Sequence, residues 1–308
     1  MSIAVIARPP VRSRRGGALR RFVRHLPALI SVVVILALVA GAALAPLIAR
    51  LLGIDPFEED LFNQYRPPSD SHWLGTDAIG RDVLVRLLYA GRVSLTVGFS
   101  GALIASLIGT AIGLAAGYYG GRIDGFLMRI TDGIIALPVL PLLIILAALD
   151  LGKLGISDSF ARSEHASVWR IIVIVSLFGW TTAARLVRAS ALAVREREFV
   201  RAARALGASD LRIIATHILP NILSPLVVAT TLAVGQVILV ESVLSYLGLG
   251  INPPTPSWGG MLTNAQETVS RAPWLAVYPG VTIFLAVLAF NFLGDGLQDA
   301  LNPRRVRR

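Results

Sequence analysis

The sequence predicts an all-α, polytopic membrane protein with six transmembrane helices, and three observations carry that prediction. Of its 308 residues, 55% are hydrophobic and only 16% charged, whereas a soluble domain carries about 25% charged residues. The apolar residues collect in charge-free windows. Crossing a bilayer takes about 20 such residues, because hydrocarbon offers no partner to an unpaired backbone group. The arginines, finally, fall unevenly between those windows, as expected when short cytoplasmic loops retain positive charge.

Taken in order, residues 26–49 form a first window of 24 uncharged positions and residues 93–121 a second of 29. The third, Gly133 to Leu149, is short at 17 residues. The fourth, Ile171 to Ala184, has only 14, and it spans only if Ala166, Ser167, Val168 and Trp169 extend it while Arg170 snorkels outward. The fifth runs from Ile213 to Val240 and the sixth from Ala272 to Gly294. With the N-terminus inside, 20 of the 29 Lys and Arg residues lie on the inner side and 12 of the 19 acids on the outer. Both termini are then cytoplasmic. Trp73, Trp169, Trp258 and Trp274 fall in or beside outer loops, where an aromatic belt belongs. The first window exceeds the roughly 7–15 apolar residues of a signal peptide. It is therefore read as a retained span, preceded by Arg8, Arg12, Arg14, Arg15, Arg20, Arg21 and Arg24.

Composition also excludes function classes. The net charge of +10 sits in an apolar background with no separate basic domain, which argues against nucleic-acid binding. The absence of cysteine removes disulfides, thiolate metal sites and Cys nucleophiles. His25, His72, His165 and His217 are scattered without ligand spacing. There is no G-x-S-x-G elbow and no G-x-x-x-x-G-K-[ST] phosphate loop, and the sole lysine, Lys153, falls in an outer loop. No catalytic residue, metal or cofactor is expected, and any nucleotide chemistry must sit on another chain.

Within the second span, Gly109, Gly113 and Gly117 repeat a small-xxx-small pattern that lets helices approach closely. It fits internal packing first and a dimerisation face second. Ahead of that span, Thr76 is placed to cap a short surface helix, with Asp77/Arg81 and Asp82/Arg86 spaced for i,i+4 pairs. Val83, Leu84, Leu87 and Leu88 would lie along the membrane, as a solvated lead-in or as a docking surface for an external partner.

The inner loop from Glu196 to Pro220 is too charged for hydrocarbon and too regular for a tail. Phe199, Ala202, Ala203 and Leu206 recur at helical spacing opposite Arg197, Arg201 and Arg204. Gly207 ends this helix, Ser209 caps a second with Asp210 in its first turn, and Leu219-Pro220-Asn221 breaks the chain before the fifth span. On pattern alone it either lies on anionic lipid or stands as a finger toward a cytoplasmic partner. Glu241, at the outer end of the fifth span, either hydrogen-bonds between helices or lines a substrate path. Asp295 and Asp299 are placed to neutralise arginines including Arg304 and Arg305. Asn264, Gln266 and Glu267 either face a substrate or cap a re-entrant helix.

Arg201-Ala202-Ala203, Gly207 four residues later, and Leu219-Pro220 together resemble the EAA loop of ABC importer permeases. Arg201 stands where that loop usually has Glu, and His217 where it usually has Ile. Two further segments sharpen the resemblance: His72 to Asp77 with Gly80-Arg81-Asp82, and Leu244-Ser245-Tyr246-Leu247-Gly248-Leu249-Gly250 followed by Pro253 to Gly259. They resemble the second permease subunit of the dipeptide/oligopeptide/nickel ABC importer family, over roughly residues 20–300. The resemblance implies a type I ABC importer transmembrane domain in a bacterial or archaeal plasma membrane. It implies a homologous permease partner (a heterodimer), two cytoplasmic ATPase subunits and an extracytoplasmic solute-binding protein, surrounded by membrane lipid.

It also divides the chain. Residues 1–25 are a basic cytoplasmic tail and 26–93 the first span with its outer loop. Residues 94–299 are the transmembrane domain carrying the coupling loop at 196–220, and 300–308 a second basic tail. Arg201, Ala202, Ala203, Leu206, Gly207, Leu219 and Pro220 are the expected coupling residues, and Glu241 and Asn264 candidates for the translocation path. A secondary transporter or channel working without an ATPase is the alternative. It would need mid-span acids or inverted repeats, and the sequence offers neither.

Overall fold

The computed structural model describes residues 15–149 and 164–301. Arg8, Arg12, Arg14, Lys153, Arg304, Arg305 and the side chain of His165 lie outside what is described.

A short basic helix α1 (Arg15–Arg24) leads into α2 (Leu26–Leu52). His25 caps α2, its Nδ1 accepting from the Ala28 amide at 3.2 Å, and Pro27 occupies the first turn, where its missing N–H costs nothing. Residues 53–82 form an irregular cap over one end of the bundle. From there α3 (Val83–Tyr119) runs unbroken for 37 residues. It is followed by α4 (Gly121–Ala136), α5 (Val139–Ala147), α6 (Glu164–Arg195), α7 (Glu198–Ala205) and α8 (Asp210–Ile213). A π-turn, Ile214–Ile218, joins α8 to α9 (Leu219–Tyr246). After a second cap segment come the single turn α10 (Ala265–Thr268) and α11 (Trp274–Leu301). Among the described residues the only strand-like contact is one isolated bridge, Thr76 to Asp82.

Among the described residues, five helices are long and apolar enough to cross a membrane, and a sixth span arises if α4 and α5 count as one. The third window, Gly133 to Leu149, is short at 17 residues, and the structure breaks the chain within it: this pair is bent by 82°. The reason is Pro138, which forces Leu137 into an extended conformation (φ −74°, ψ 142°) and so ends α4 at Ala136. The fourth span, weakest by its charge-free window, is in fact the 32-residue α6. Its charges are answered inside the fold. Arg185 pairs with Asp132 and Arg188 with Asp124, both on α4. Arg170 turns to the Leu249 and Gly250 carbonyls of the cap, at 3.4 and 3.1 Å.

The three glycines of α3 serve internal packing. A Cβ on Gly109 would lie 2.5 Å from the Trp180 carbonyl, on Gly113 2.6 Å from that of Ala184, and on Gly117 2.7 Å from the Ala191 Cβ. All three neighbours are on α6, the partner against which α3 packs most extensively. Around this pair, α9, α11 and α2 close one large apolar cluster including Leu95, Ile171, Ile238, Leu244 and Phe290. A second cluster, around Val187, Ala191, Ile213 and Ile222, sits at the opposite end from the cap.

The surface helix expected at Thr76 is absent. Thr76 is buried, accepting from the Arg66 amide at 2.8 Å and donating to the Asn63 carbonyl, while Asp77 closes a turn onto Ile79 and Arg81. Asp82 is the true cap. Its Oδ1 accepts from Val85 N at 2.8 Å, so the helix starts six residues later than expected, at Val83, and continues straight into the span. Asp77 and Arg81 do pair, at 2.8 Å. Asp82 instead meets His72 at 3.0 Å, and Arg86 turns to Asp77 and the Pro56 carbonyl.

Candidate functional site

Residues 196–220 fold as an arm at the end of the bundle remote from the cap. Its first half, α7, is short and strongly two-faced, and it ends in a hydrogen-bonded reversal. Gly207 takes φ +80° and donates to Arg204 O while Ala208 donates to Ala203 O, at 3.0 and 3.1 Å. This is the Schellman arrangement, in which glycine accepts the left-handed backbone. Nothing lies within 4 Å of a Cβ built on Gly207, so backbone conformation and not crowding demands the glycine.

Arg201, the departure from the family pattern, has a local task. Its Nε and Nη2 donate to the Glu196 carbonyl at 3.2 and 2.9 Å and so close the turn where α6 ends. Ser209 stands at the cap position of α8, as the sequence predicts, though without a side-chain cap bond.

The chain itself covers little of α7. Val200 is fully buried and Ala203 packs beside it, whereas Ala202 is exposed and Leu206 is 88% exposed. Leu211, just beyond the reversal, is 77% exposed. The apolar stripe therefore points mostly away from the chain's own core, toward lipid or a partner as either reading of the loop requires, and Gly207 lies between two bare leucines. Tyr118, from the end of α3, anchors the arm. Its hydroxyl donates to Asp210 Oδ1 at 2.6 Å, the Arg204 guanidinium lies 5.4 Å over its ring, and Arg195 holds its carbonyl at 2.9 Å.

The expected break at Leu219-Pro220-Asn221 does not occur. Residues 210–246 run as one helix, and the π-turn Ile214–Ile218 lies directly ahead of Pro220. Proline cannot donate to a residue four back and its ring crowds that carbonyl; the wider turn relieves both. It also changes which residues share a face. Ile213, Ile218 and Ile222 are all buried in the arm's cluster, and their first interval is five residues. Five is the repeat of a π-helix, not of an α-helix.

At the cap end, Glu241 has no exposed surface. Its Oε2 accepts from Ser94 on α3 at 3.1 Å and its Oε1 from Ser245 at 2.7 Å. Each serine oxygen in turn accepts a backbone amide of the cap, Trp258 N at 3.1 Å and Ile251 N at 3.2 Å. One carboxylate thus positions two points of the cap through two hydroxyls. Trp258, expected in the aromatic belt, is buried and donates Nε1 to Leu87 O at 3.1 Å. Trp73 and Trp169 are exposed, as belt residues are. Asn264, φ +60°, is exposed and precedes α10 without a side-chain cap bond. Asp299 meets His25 at 3.8 Å. Among the described residues no cluster of His, Cys, Asp and Glu could hold a metal ion.

Sequence reasoning missed Ser94, Ser245 and Tyr118, whose importance lies in contacts 92 or more residues away for Ser94 and Tyr118. For Ser245 the signal was present, since it falls one helical turn after Glu241.

A multi-span helical bundle with a hydrogen-bonded cap at one end and an anchored, leucine-tipped arm at the other is the architecture of a membrane permease subunit. The family described as "Binding-protein-dependent transport system inner membrane component" matches residues 109–307, and the "N-terminal TM domain of oligopeptide transport permease C" matches residues 13–68. The dipeptide transport system permease protein DppC of Alkalihalophilus pseudofirmus is 40% identical over 287 residues, 93% of this chain and 89% of the relative. The glutathione transport system permease protein GsiD of Pectobacterium atrosepticum is 38% identical over 303 residues, covering 98% and 95%. The corresponding Escherichia coli protein is 41% identical over 285 residues, covering 92% and 89%. The chain belongs to the binding-protein-dependent transport system inner membrane component family: it is a multi-pass ABC importer permease.

Proposed function

We propose that this chain pairs with a homologous permease around a single translocation path for dipeptides or oligopeptides. An extracytoplasmic solute-binding protein delivers the substrate, and two cytoplasmic ATPase subunits, which carry all the nucleotide chemistry, drive the cycle. Both termini and the arm at 196–220 face the cytoplasm. The observation that carries the reading is the arm itself: exposed Leu206 and Leu211 flank Gly207 on a support fixed by Tyr118, Arg201 and buried Val200. Bare leucines on a charged, water-facing segment mark a surface awaiting a partner.

In this reading Ala202, Ala203, Leu206 and Gly207 form the joint with the ATPase, and Leu219 and Pro220 with the π-turn set how its motion enters α9. ATP binding closes the ATPases, the arms of the two permeases move with them, and the bundles rock about the path, a rigid-body change between two access states. The relatives named for dipeptide and glutathione transport support a peptide substrate, glutathione being a tripeptide. Asn264 is placed on the substrate's route. Glu241 supports that route from behind.

The test is to tag the chain, extract it in mild detergent and identify what co-purifies, then reconstitute the complex with its binding protein. A second permease and the ATPases are expected. Gly207→Leu should still insert but hydrolyse ATP without moving a labelled dipeptide. Normal peptide uptake by that variant would sink the joint assignment, and uptake of a nickel chelate but no peptide would replace the substrate.

A further inference from the structure

Between the cap loop ahead of α3 and the segment ahead of α11 lies a cavity of about 390 Å³, a size typical of small-molecule sites. Among the described residues, two other than glycine have positive φ, Tyr65 (51°) and Asn264 (60°), and both line this cavity. They come from segments some 200 positions apart in sequence. Strained backbone of this kind costs on the order of 1–3 kcal/mol and concentrates at ligand clamps. For an aromatic residue such as Tyr65 it is unusual; Arg271, 4.7 Å over the Tyr65 ring, holds it there.

The charges of the lining are unevenly matched. On one wall the Arg81 and Arg86 guanidiniums share a single carboxylate, Asp77, at 2.8 and 3.6 Å. Arg86 spends one further N–H on the Pro56 carbonyl, while Arg81 uses only its Nε. That wall carries one positive charge in excess. On the other, Glu267 is exposed and has neither an ion pair nor a side-chain hydrogen bond among the described residues. The excess cation and the free carboxylate face the same space without meeting. Val83, Ile251 and Met261 supply apolar surface between them.

We propose that this cavity is a binding site on the permease itself for a small zwitterion, an amino acid or a short peptide with free ends. Its carboxylate lies against Arg81 and Arg86, and its ammonium against Glu267 and the Asn264 amide. The choice of a peptide as ligand rests on the substrate reading above; the site rests on the cavity's geometry. The charged groups facing it are Asp77, Arg81, Arg86 and Glu267.

The experiment uses the permease pair with its ATPases in lipid nanodiscs, without the binding protein, and measures binding of dialanine, N-acetyl-dialanine and dialanine amide by calorimetry. Dialanine should bind saturably and each blocked form at least tenfold more weakly. Glu267→Gln, a change at an exposed and unpartnered side chain, should bind dialanine and its N-acetyl form equally. Absence of saturable dialanine binding, equal binding of all three ligands, or a Glu267→Gln variant that still distinguishes the N-acetyl form would overturn the site. Uptake of labelled dialanine by the full system with its binding protein is a separate readout. Uptake without nanodisc binding rejects the cavity and keeps the importer's substrate, whereas nanodisc binding without uptake does the reverse.

Discussion

At the cap end, Glu241, Ser94, Ser245 and Trp258 join three segments by hydrogen bonds between buried groups. At the arm end, Val200, Ile213, Ile218 and Ile222 hold the chain mainly by apolar contact, with the Tyr118–Asp210 hydrogen bond as a tether from α3, and leave Leu206 and Leu211 bare. Hydrogen bonds are directional and a buried polar group left unpaired is costly, so the cap has one arrangement. Apolar contact is non-directional, so a tilt of the arm would keep most of its burial and be resisted chiefly by the Tyr118–Asp210 tether. One end is built as a frame and the other as a bearing, and α3 joins them.

The severest way to break this contrast is to wedge α3 from α6. Gly113→Leu would place side-chain atoms where a single Cβ already lies 2.6 Å from the Ala184 carbonyl. Backbone cannot yield as a side-chain tip can, so we expect a loss of more than about 3 kcal/mol, read as failure to recover monodisperse protein. A folded variant with an unchanged melting midpoint would show that the frame does not depend on this contact. Glu241→Ala comes next, leaving Ser94 and Ser245 without their acceptor at a cost of about 3 kcal/mol. Thermal unfolding in nanodiscs checks it; wild-type stability with lost uptake would place this carboxylate on the substrate's path instead. Trp258→Phe removes only the bond to Leu87 O, about 1 kcal/mol by the same assay. The smallest change in stability, within about 0.5 kcal/mol, is expected for Leu206→Ser combined with Leu211→Ser. That variant should nevertheless lose the co-purifying ATPase, and retention of it would remove the arm's tip from the docking surface.

The helices were legible in the sequence where charge was absent, because desolvation alone decides those windows. They were misjudged where charge is paired within the fold. Arg185 and Arg188 shortened the apparent fourth span, yet Asp132 and Asp124 answer both. The arm's existence and its glycine reversal were also legible, since Gly207 needs a backbone conformation that few residues adopt. Its orientation was not. Helical spacing selected Phe199, Ala202, Ala203 and Leu206, but a segment with a partner has two apolar faces, and spacing cannot say which one its own chain covers. The π-turn escaped because five-residue spacing resembles noise when a 3.6-residue repeat is assumed. The cap was the least readable region: Thr76 and Asp82 are both good helix starters, and only the long-range bonds from Asn63 and Arg66 make the first part of a turn.

The length of α3 carries one more consequence. Its 37 residues make a rod of about 56 Å, while a bilayer measures about 40–45 Å from headgroup to headgroup. Standing upright, it overhangs the lipid by about 12 Å; leaning at 40°, near the limit seen for membrane helices, it gives up about a quarter of its height. Inclination therefore sets elevation: each degree through which the subunit leans lowers the cap toward the headgroups and each degree of recovery lifts it clear, so a soluble protein resting on the cap would ride up and down with the stroke.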